Sequence, residues 1–381
     1  MKSEIRMKVL TVVGTRPEII RLSRIMARLD DCFRHIVVHT GQNYDYELNE
    51  IFFQELGIRK PNHFLGSAGE TAATTIARCI EGLDKVLAVE APDAVLILGD
   101  TNSCLSVIAA KKRHIPIFHM EAGNRCFDTR VPEEVNRKII DHTSDINLVY
   151  TEHARRNLIA EGLPADQIFL TGSPMAEVLK HHQANIDESQ VLPSLNVEKN
   201  RYLVASFHRE ENVDSPKRLV SIVESLNTVA QELAFPIVLS VHPRTRIRLE
   251  QLSLPFHPLV RQTKPLGFFD YVRLQMDAYC TISDSGTITE EAAIVGFPAV
   301  TARDAHERPE GMDSGVLVMT GIDPVSLIAG INFSRNRFDS QAIRNIPQSY
   351  RDLDVSWRVA NLIHSYTGYI NRKTWRKPSL E

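Results

Sequence analysis

Val9-Leu10-Thr11-Val12-Val13-Gly14-Thr15-Arg16-Pro17-Glu18 is the stretch on which the fold turns. Its first five residues, β-branched or aliphatic, suit a strand buried on both faces. Gly14 allows a tight turn. Pro17 has the fixed φ of a first helical turn, and an amphipathic run follows through Leu29. The same order recurs outward along the chain. Residues 35–40 read as a strand, and 70–89 as a helix leading into a strand at 94–98 that ends at Gly99-Asp100-Thr101. Residues 105–113 read as a helix and 115–120 as a strand closed by Glu121-Ala122-Gly123; strands at 146–150 and 168–170 flank a helix at 153–161. This alternation predicts an α/β fold, a doubly wound parallel sheet with helices on both faces.

Between residues 180 and 199 the periodicity fades into polar residues around Pro193, which reads as a linker. The alternation then restarts. Strands are expected at 202–207, 236–241, 259–262, 279–283 and 299–302, with helices at 216–233, 269–277 and 286–295 and a last helix at 355–366. The expectation is two Rossmann-like domains, 1–179 and 180–354, with a final segment at 355–381. Ligands of such sheets sit beyond the carboxyl ends of the strands. That rule places Gly14-Thr15-Arg16, Gly99-Asp100, Glu121, His208-Arg209 and Asp284-Ser285-Gly286 on loops facing a cleft between the domains.

Composition narrows the function. The 381 residues carry 44 Lys and Arg against 47 Asp and Glu, for a net charge of -3. No basic excess marks a nucleic-acid binder, and no apolar run approaches the ~20 residues of a membrane span. The leader Met1-Lys2-Ser3-Glu4-Ile5-Arg6 is polar, and the five cysteines are far apart with no Cys-x-x-Cys pair. A soluble cytoplasmic protein with free thiols is expected. There is no Gly-x-Gly-x-x-Gly after the first strand, no P-loop and no regular His or Cys spacing, so neither a nicotinamide cofactor nor a metal is expected.

Several residues could carry chemistry. A helix start at Gly14-Thr15-Arg16 offers N–H groups and a forked cation to an anion; the same residues read equally as a turn with a surface arginine. At Asp284-Ser285-Gly286-Thr287, Ser285 and the N–H groups of a second helix start suit a diphosphate, and Glu291 could accept from a ribose diol. A cap at Asp284 or Ser285 explains part of this run but not the glycine. Asp100 and Glu121 each follow a buried strand, where a carboxylate is costly without a partner or a function. Glu133 and Glu134 follow Pro132 and open a helix, where favourable charge at the helix start is by itself a strong account of them. His208-Arg209 ends a strand on the same cleft, with His119 and His242 in similar but less supported places.

These motifs, in this order, resemble the non-hydrolysing UDP-N-acetylglucosamine 2-epimerases from about Met7 to Gly368. The likeness rests on Gly14-Thr15-Arg16-Pro17-Glu18, Gly99-Asp100-Thr101, His119-Met120-Glu121-Ala122-Gly123, Pro132-Glu133-Glu134-Val135-Asn136-Arg137, and His208-Arg209-Glu210. It continues in Asp284-Ser285-Gly286, Glu290-Glu291, Arg303-Asp304 and Glu307-Arg308-Pro309-Glu310. The resemblance implies a GT-B-like pair of Rossmann-like domains whose final helix returns to the first, and a homodimer. The substrate it implies is a UDP-activated N-acetyl amino sugar. Asp100, Glu121 and Glu133 become the acid–base set. His208, Arg16, Arg209, Ser285 and Gly286 become the holders of UDP phosphates, and Glu291 the holder of its ribose.

Three stretches, Asn124-Arg125-Cys126-Phe127-Asp128-Thr129-Arg130-Val131, Gly41-Gln42-Asn43-Tyr44-Asp45-Tyr46 and Lys264-Pro265-Leu266-Gly267-Phe268, resemble the branch forming UDP-N-acetyl-L-fucosamine. That branch epimerises UDP-2-acetamido-2,6-dideoxy-L-talose for capsule or O-antigen synthesis. The same departures remove the Gln-His-Arg pattern of the main branch's second, activating site. The other readings are production of UDP-N-acetylmannosamine, a glycosyltransferase of the same fold, and a nucleotide-sugar sensor.

Overall fold

The computed structural model describes residues 6–42, 46–305, 307–340 and 346–377. Met1–Ile5 of the leader and Asn43, Tyr44 and Asp45 of the Gly41 stretch lie outside them. The chain divides into two units, Met1–Lys180 with Asp352–Glu381, and His181–Arg351.

The first unit holds seven strands: β1 (Lys8–Val13), β2 (Arg34–His39), β3 (His63–Phe64), β4 (Ala94–Leu98), β5 (Ile117–Met120), β6 (Ile146–Val149) and β7 (Ile168–Leu170). All pair in parallel, in the order β3-β2-β1-β4-β5-β6-β7. The second unit holds β8 (Leu203–Ser206), β9 (Ile237–Ser240), β10 (Val260–Thr263), β11 (Cys280–Ser283), β12 (Ala299–Thr301) and β13 (Val318–Met319), again all parallel, in the order β10-β9-β8-β11-β12-β13. In both sheets the order reverses beside the first strand of the unit. The crevice of such a switch point lies beyond the carboxyl ends of the flanking strands, β1 and β4 in one unit and β8 and β11 in the other.

Every residue of β4 is buried, and Leu10, Val12, Ile117 and Val38 on the strands around it are at most 1% exposed. This double burial is why the strands read as unbroken apolar runs. Gly14 is required by packing: a Cβ there would overlap the hydroxyls of Ser103 and Thr40, which bond each other at 2.6 Å. The last helix, Val355–Lys373, packs on the helix Arg16–Cys32 within the first unit, with the Arg28 guanidinium 4.0 Å from the Trp357 ring centre. Ser356 anchors its start, donating from N (2.9 Å) and Oγ (2.6 Å) to Glu177.

The stretch expected to be a linker is helical instead. Gln183–Asp187 and Val191–Ser194 form short helices, and Val191 packs with Tyr202, Val204 and Leu274 in a core cluster of the second unit. Residues 105–113 begin as a 3₁₀ turn, Asn102–Ser106, and become α-helical only at Val107–Lys112. Among the described residues no helix is long and apolar enough to cross a membrane.

Candidate active site

In the first unit the expected residues gather around the ends of β4 and β5. Asp100 follows β4, and Arg137, from the helix Pro132–Thr143, donates its Nε to Asp100 Oδ2 at 2.7 Å. Asn136 of the same helix donates Nδ2 to the Asp100 carbonyl at 2.9 Å. Glu133 lies in the first turn of this helix, four residues before Arg137 and so on the same helical face. Glu134 is engaged elsewhere: it accepts from Cys126 N (3.0 Å), Phe127 N (3.2 Å) and Arg137 Nη1 (2.9 Å), which fastens the 124–131 loop to the helix.

Glu121 follows β5 with φ at +63°, a left-handed backbone uncommon outside glycine. Non-glycine residues held this way concentrate at functional sites. Arg21, buried on the first helix, forms an ion pair with Glu121 Oε2, and Asn124 Nδ2 lies 3.4 Å from Oε1. A Cβ built on Gly99 would sit 3.8 Å from Glu121 Oε2, so the turns after β4 and β5 are in contact. Beneath them His119 Nε2 meets the Gly99 carbonyl at 2.8 Å, and its Nδ1 lies 2.9 Å from Asp141 Oδ1. Asp141 also takes Arg125 Nη1 at 2.7 Å.

The first helix start differs from expectation. Gly14 N and Thr15 N are not open to an anion; both donate to Glu18 Oε2, at 2.5 and 3.2 Å, as part of a capping box. Arg16 is half-buried, its guanidinium 5.7 Å from the Phe52 ring centre.

In the second unit Asp284 is fully buried and caps nothing. It accepts from His208 N (3.1 Å), Arg209 N (3.1 Å) and Asn212 Nδ2 (3.0 Å), and its Oδ1 lies 3.3 Å from His208 Nδ1. The carboxylate after β11 thus folds the loop after β8 around itself and leaves the His208 side chain 44% exposed. The N-cap of Thr287–Val295 is Gly286, with no side-chain cap; Ser285 Oγ lies 2.9 Å from Thr287 Oγ1. Asp284 is directed to the loop after β8, while Ser285 Oγ accepts from Thr287 N at 3.3 Å, so of the two expected caps the helix start keeps Ser285.

Around Gly286 the side chains of Arg308, Glu307 and Arg209 all come within 3.6 Å of where a Cβ would lie. Glu307 takes Arg209 Nη2 at 3.3 Å and Arg303 Nη1 at 3.2 Å, while Arg308 pairs with the buried Glu290. Glu291 is buried and accepts from Gln275 Nε2 at 3.0 Å. Asp100, Glu121, Glu133 and Arg16 thus fall in the first unit, and His208, Arg209, Ser285, Gly286 and Glu291 in the second. Arg21, Asp141 and Gln275 escaped sequence reasoning, and Arg137 was quoted within a motif without a role. Each lies on a helix, where a polar residue looks like solvent-facing surface; only their burial betrays them.

Residues 27–364 match the family model described as UDP-N-acetylglucosamine 2-epimerase. The UDP-N-acetylglucosamine 2-epimerase of Methanocaldococcus jannaschii is 34% identical over 87% of this chain and 93% of its own. The UDP-2,3-diacetamido-2,3-dideoxy-D-glucuronate 2-epimerase of Pseudomonas aeruginosa is 37% identical over 94% and 99%. Among solved structures, a UDP-N-acetylglucosamine 2-epimerase from Rickettsia bellii superposes with a TM-score of 0.89 at 47% identity, covering 98% of this chain and 100% of its own. The Methanocaldococcus jannaschii enzyme in complex with UDP-GlcNAc and UDP gives 0.88 at 31% identity, covering 94% and 99%.

Proposed function

This chain belongs to the UDP-N-acetylglucosamine 2-epimerase family, and from that premise we propose that it inverts C2 of its sugar by eliminating and re-adding UDP. It is an isomerase, a 2-epimerase of UDP-sugars. The C2 proton of an N-acetyl sugar is not α to a carbonyl, so direct deprotonation is very unfavourable. Cleavage of the C1–O bond sends its electron pair to the β-phosphate oxygen and gives C1 oxocarbenium character, which acidifies C2–H. Loss of that proton to a carboxylate forms the C1=C2 bond of a 2-acetamidoglycal. Readdition of UDP at C1, with protonation of C2 from the other face, completes the inversion.

This scheme needs acid and base on two faces of one ring, plus donors for the departing diphosphate. Asp100, Glu121 and Glu133 are the acid–base set in this reading. His208 keeps UDP bound between the two half-reactions. Arg16, Arg209, Ser285 and Gly286 hold the phosphates and Glu291 the ribose, which makes the second unit the UDP-binding domain. The observation that carries the reading is that Asp100 and Glu121, at the ends of adjacent strands in touching turns, are each held by a helix-borne arginine.

The substrate in this reading is UDP-2-acetamido-2,6-dideoxy-L-talose and the product UDP-N-acetyl-L-fucosamine, made by a cytoplasmic homodimer. The 124–131 loop supports this: Asn124 approaches Glu121 while Phe127, 80% exposed with φ at +57°, presents an apolar ring suited to a sugar methyl. The experiment is NMR of each candidate nucleotide sugar incubated with enzyme in heavy water. Deuterium should enter C2 of both epimers, and bridging ¹⁸O should scramble into the β-phosphate. Turnover of the gluco sugar alone would move the assignment to UDP-N-acetylmannosamine formation, and inversion without ¹⁸O movement would overturn the elimination.

A further inference from the structure

Glu18 is 2% exposed and its hydrogen-bond partners are all neutral. Oε2 accepts from Gly14 N and Thr15 N, in the turn that carries Arg16. Oε1 accepts from Thr101 Oγ1 at 2.7 Å, in the turn that carries Asp100. One carboxylate thus ties together the two turns at the switch point of the first sheet. We propose that Glu18 is a positioning residue of the epimerisation, which straps the Arg16 turn to the Asp100 turn and in its ionised form holds Asp100 in its working place. This rests on the assignment of Asp100 to the reaction.

The strap has two states. Ionised, Glu18 accepts from all three donors, and charge strengthens each bond. Protonated, it must use one oxygen as a donor. The two backbone N–H groups cannot reverse, so the proton, taken from solvent, sits on Oε1 and Thr101 Oγ1 must turn from donor to acceptor. That reversal occurs one residue from Asp100. Burial pushes the Glu18 carboxyl up to about 7, so both states are populated near neutrality.

The groups facing Glu18 do not mask the effect. Cys79, from the helix Ala72–Glu90, and Cys104, after the β4 turn, are thiols pushed up by burial and then by Glu18's own charge, so they stay neutral. Asp100 is paired with Arg137 and Arg21 with Glu121, while Arg16 lies against Phe52.

Glu18→Gln is the test, because its amide oxygen can keep both N–H bonds while its NH2 donates to Thr101, a permanent copy of the protonated acid. Near pH 8 kcat should fall about ten- to a hundred-fold with KM little changed, the scale of a small misplacement of a reacting group. The wild-type kcat profile should fall on the acid side of about pH 7, and that inflection should vanish in Glu18→Gln. The variant's Tm near pH 8 should equal or exceed the wild type's, since a buried charge is gone. Thr101→Val should lose activity in the same way and Thr101→Ser should retain it.

Wild-type kcat in Glu18→Gln, or a parallel loss of kcat and Tm with the inflection unmoved, overturns the strap. Full activity in Asp100→Asn instead overturns the assignment beneath it, and with it the catalytic half of the proposal. A disabled Asp100→Asn beside an unaffected Glu18→Gln overturns the strap alone.

Discussion

Arg137 Nε holds Asp100 Oδ2 at 2.7 Å while Nη1 of the same guanidinium holds Glu134 Oε2 at 2.9 Å. One planar cation therefore serves two carboxylates, one at the end of β4 and one clamping the 124–131 loop. Arg137→Lys keeps the charge but loses the fork that spans both. Arg137→Met leaves Glu134, 1% exposed, without its cation; breaking a buried pair in this way costs about 3–5 kcal/mol. We expect a clear drop in Tm for Met, a smaller one for Lys, and a kcat loss in both that exceeds any rise in KM. Thermal melts with steady-state kinetics decide this, and an active Arg137→Met would remove Asp100 from the acid–base set.

Asp284, in the second unit, organises the loop after β8. Replacing it by Asn turns one acceptor oxygen into an NH2 facing the donors His208 N, Arg209 N and Asn212 Nδ2. Losing charged acceptors at a buried site is worth about 1.5–3 kcal/mol. UDP should therefore bind roughly ten- to a hundred-fold more weakly in Asp284→Asn, as measured by titration calorimetry. Binding unchanged within about two-fold would mean that the His208-Arg209 loop does not hold the phosphates.

Much of this was readable from sequence, for a physical reason. Parallel strands buried on both faces leave unbroken apolar runs, so β1, β4, β8 and β11 stand out, and a carboxylate just past such a run, as at Asp100, Glu121 and Asp284, is conspicuous. The edge strands β3 and β13 have two residues each and no period to detect. The 183–194 helices were hidden because only Ile186 and Val191 in them are buried, too few for a hydrophobic period. The pairings of Arg21 with Glu121 and of Arg137 with Asp100 were unreadable because the partners lie 100 and 37 residues apart. An amphipathic helix shows which face is polar, never what that face will meet.

The buried acid at Glu18 also sets a pH dependence of stability. Its folded pKa, about 7, is raised by desolvation above the ordinary carboxylate value of 4.5. The folded state therefore binds the proton more tightly. Glu18's contribution to stability is fully present below about pH 4.5 and is lost as pH rises through about 7. A shift of this size corresponds to about 3 kcal/mol. In Glu18→Gln this component disappears, so the gap in unfolding free energy between variant and wild type should widen from pH 5 to 8 in the variant's favour. Denaturant titrations across that range check the sign, and a gap that narrows would show that Glu18 is stabilised as an anion.

The last expectation separates the ribose from the phosphates. Gln275 is 1% exposed and donates Nε2 to Glu291 Oε2 at 3.0 Å, which fixes one oxygen of the buried carboxylate. If Glu291 holds the ribose, 2′-deoxy-UDP must bind more weakly than UDP, because it leaves a buried carboxylate short of a donor. Glu291→Ala should bring the two affinities together, chiefly by weakening UDP. Gln275→Leu keeps the volume but frees the carboxylate to rotate, so it should give an intermediate ratio while a phosphate-only ligand such as pyrophosphate binds as before. The two nucleotides compared by calorimetry across wild type and both variants form a cycle in which only a ribose contact changes the ratio. A ratio that stays constant through Glu291→Ala would assign the ribose to another residue and leave Gln275 and Glu291 as a pair that merely ties the helix Phe268–Met276 to Thr287–Val295.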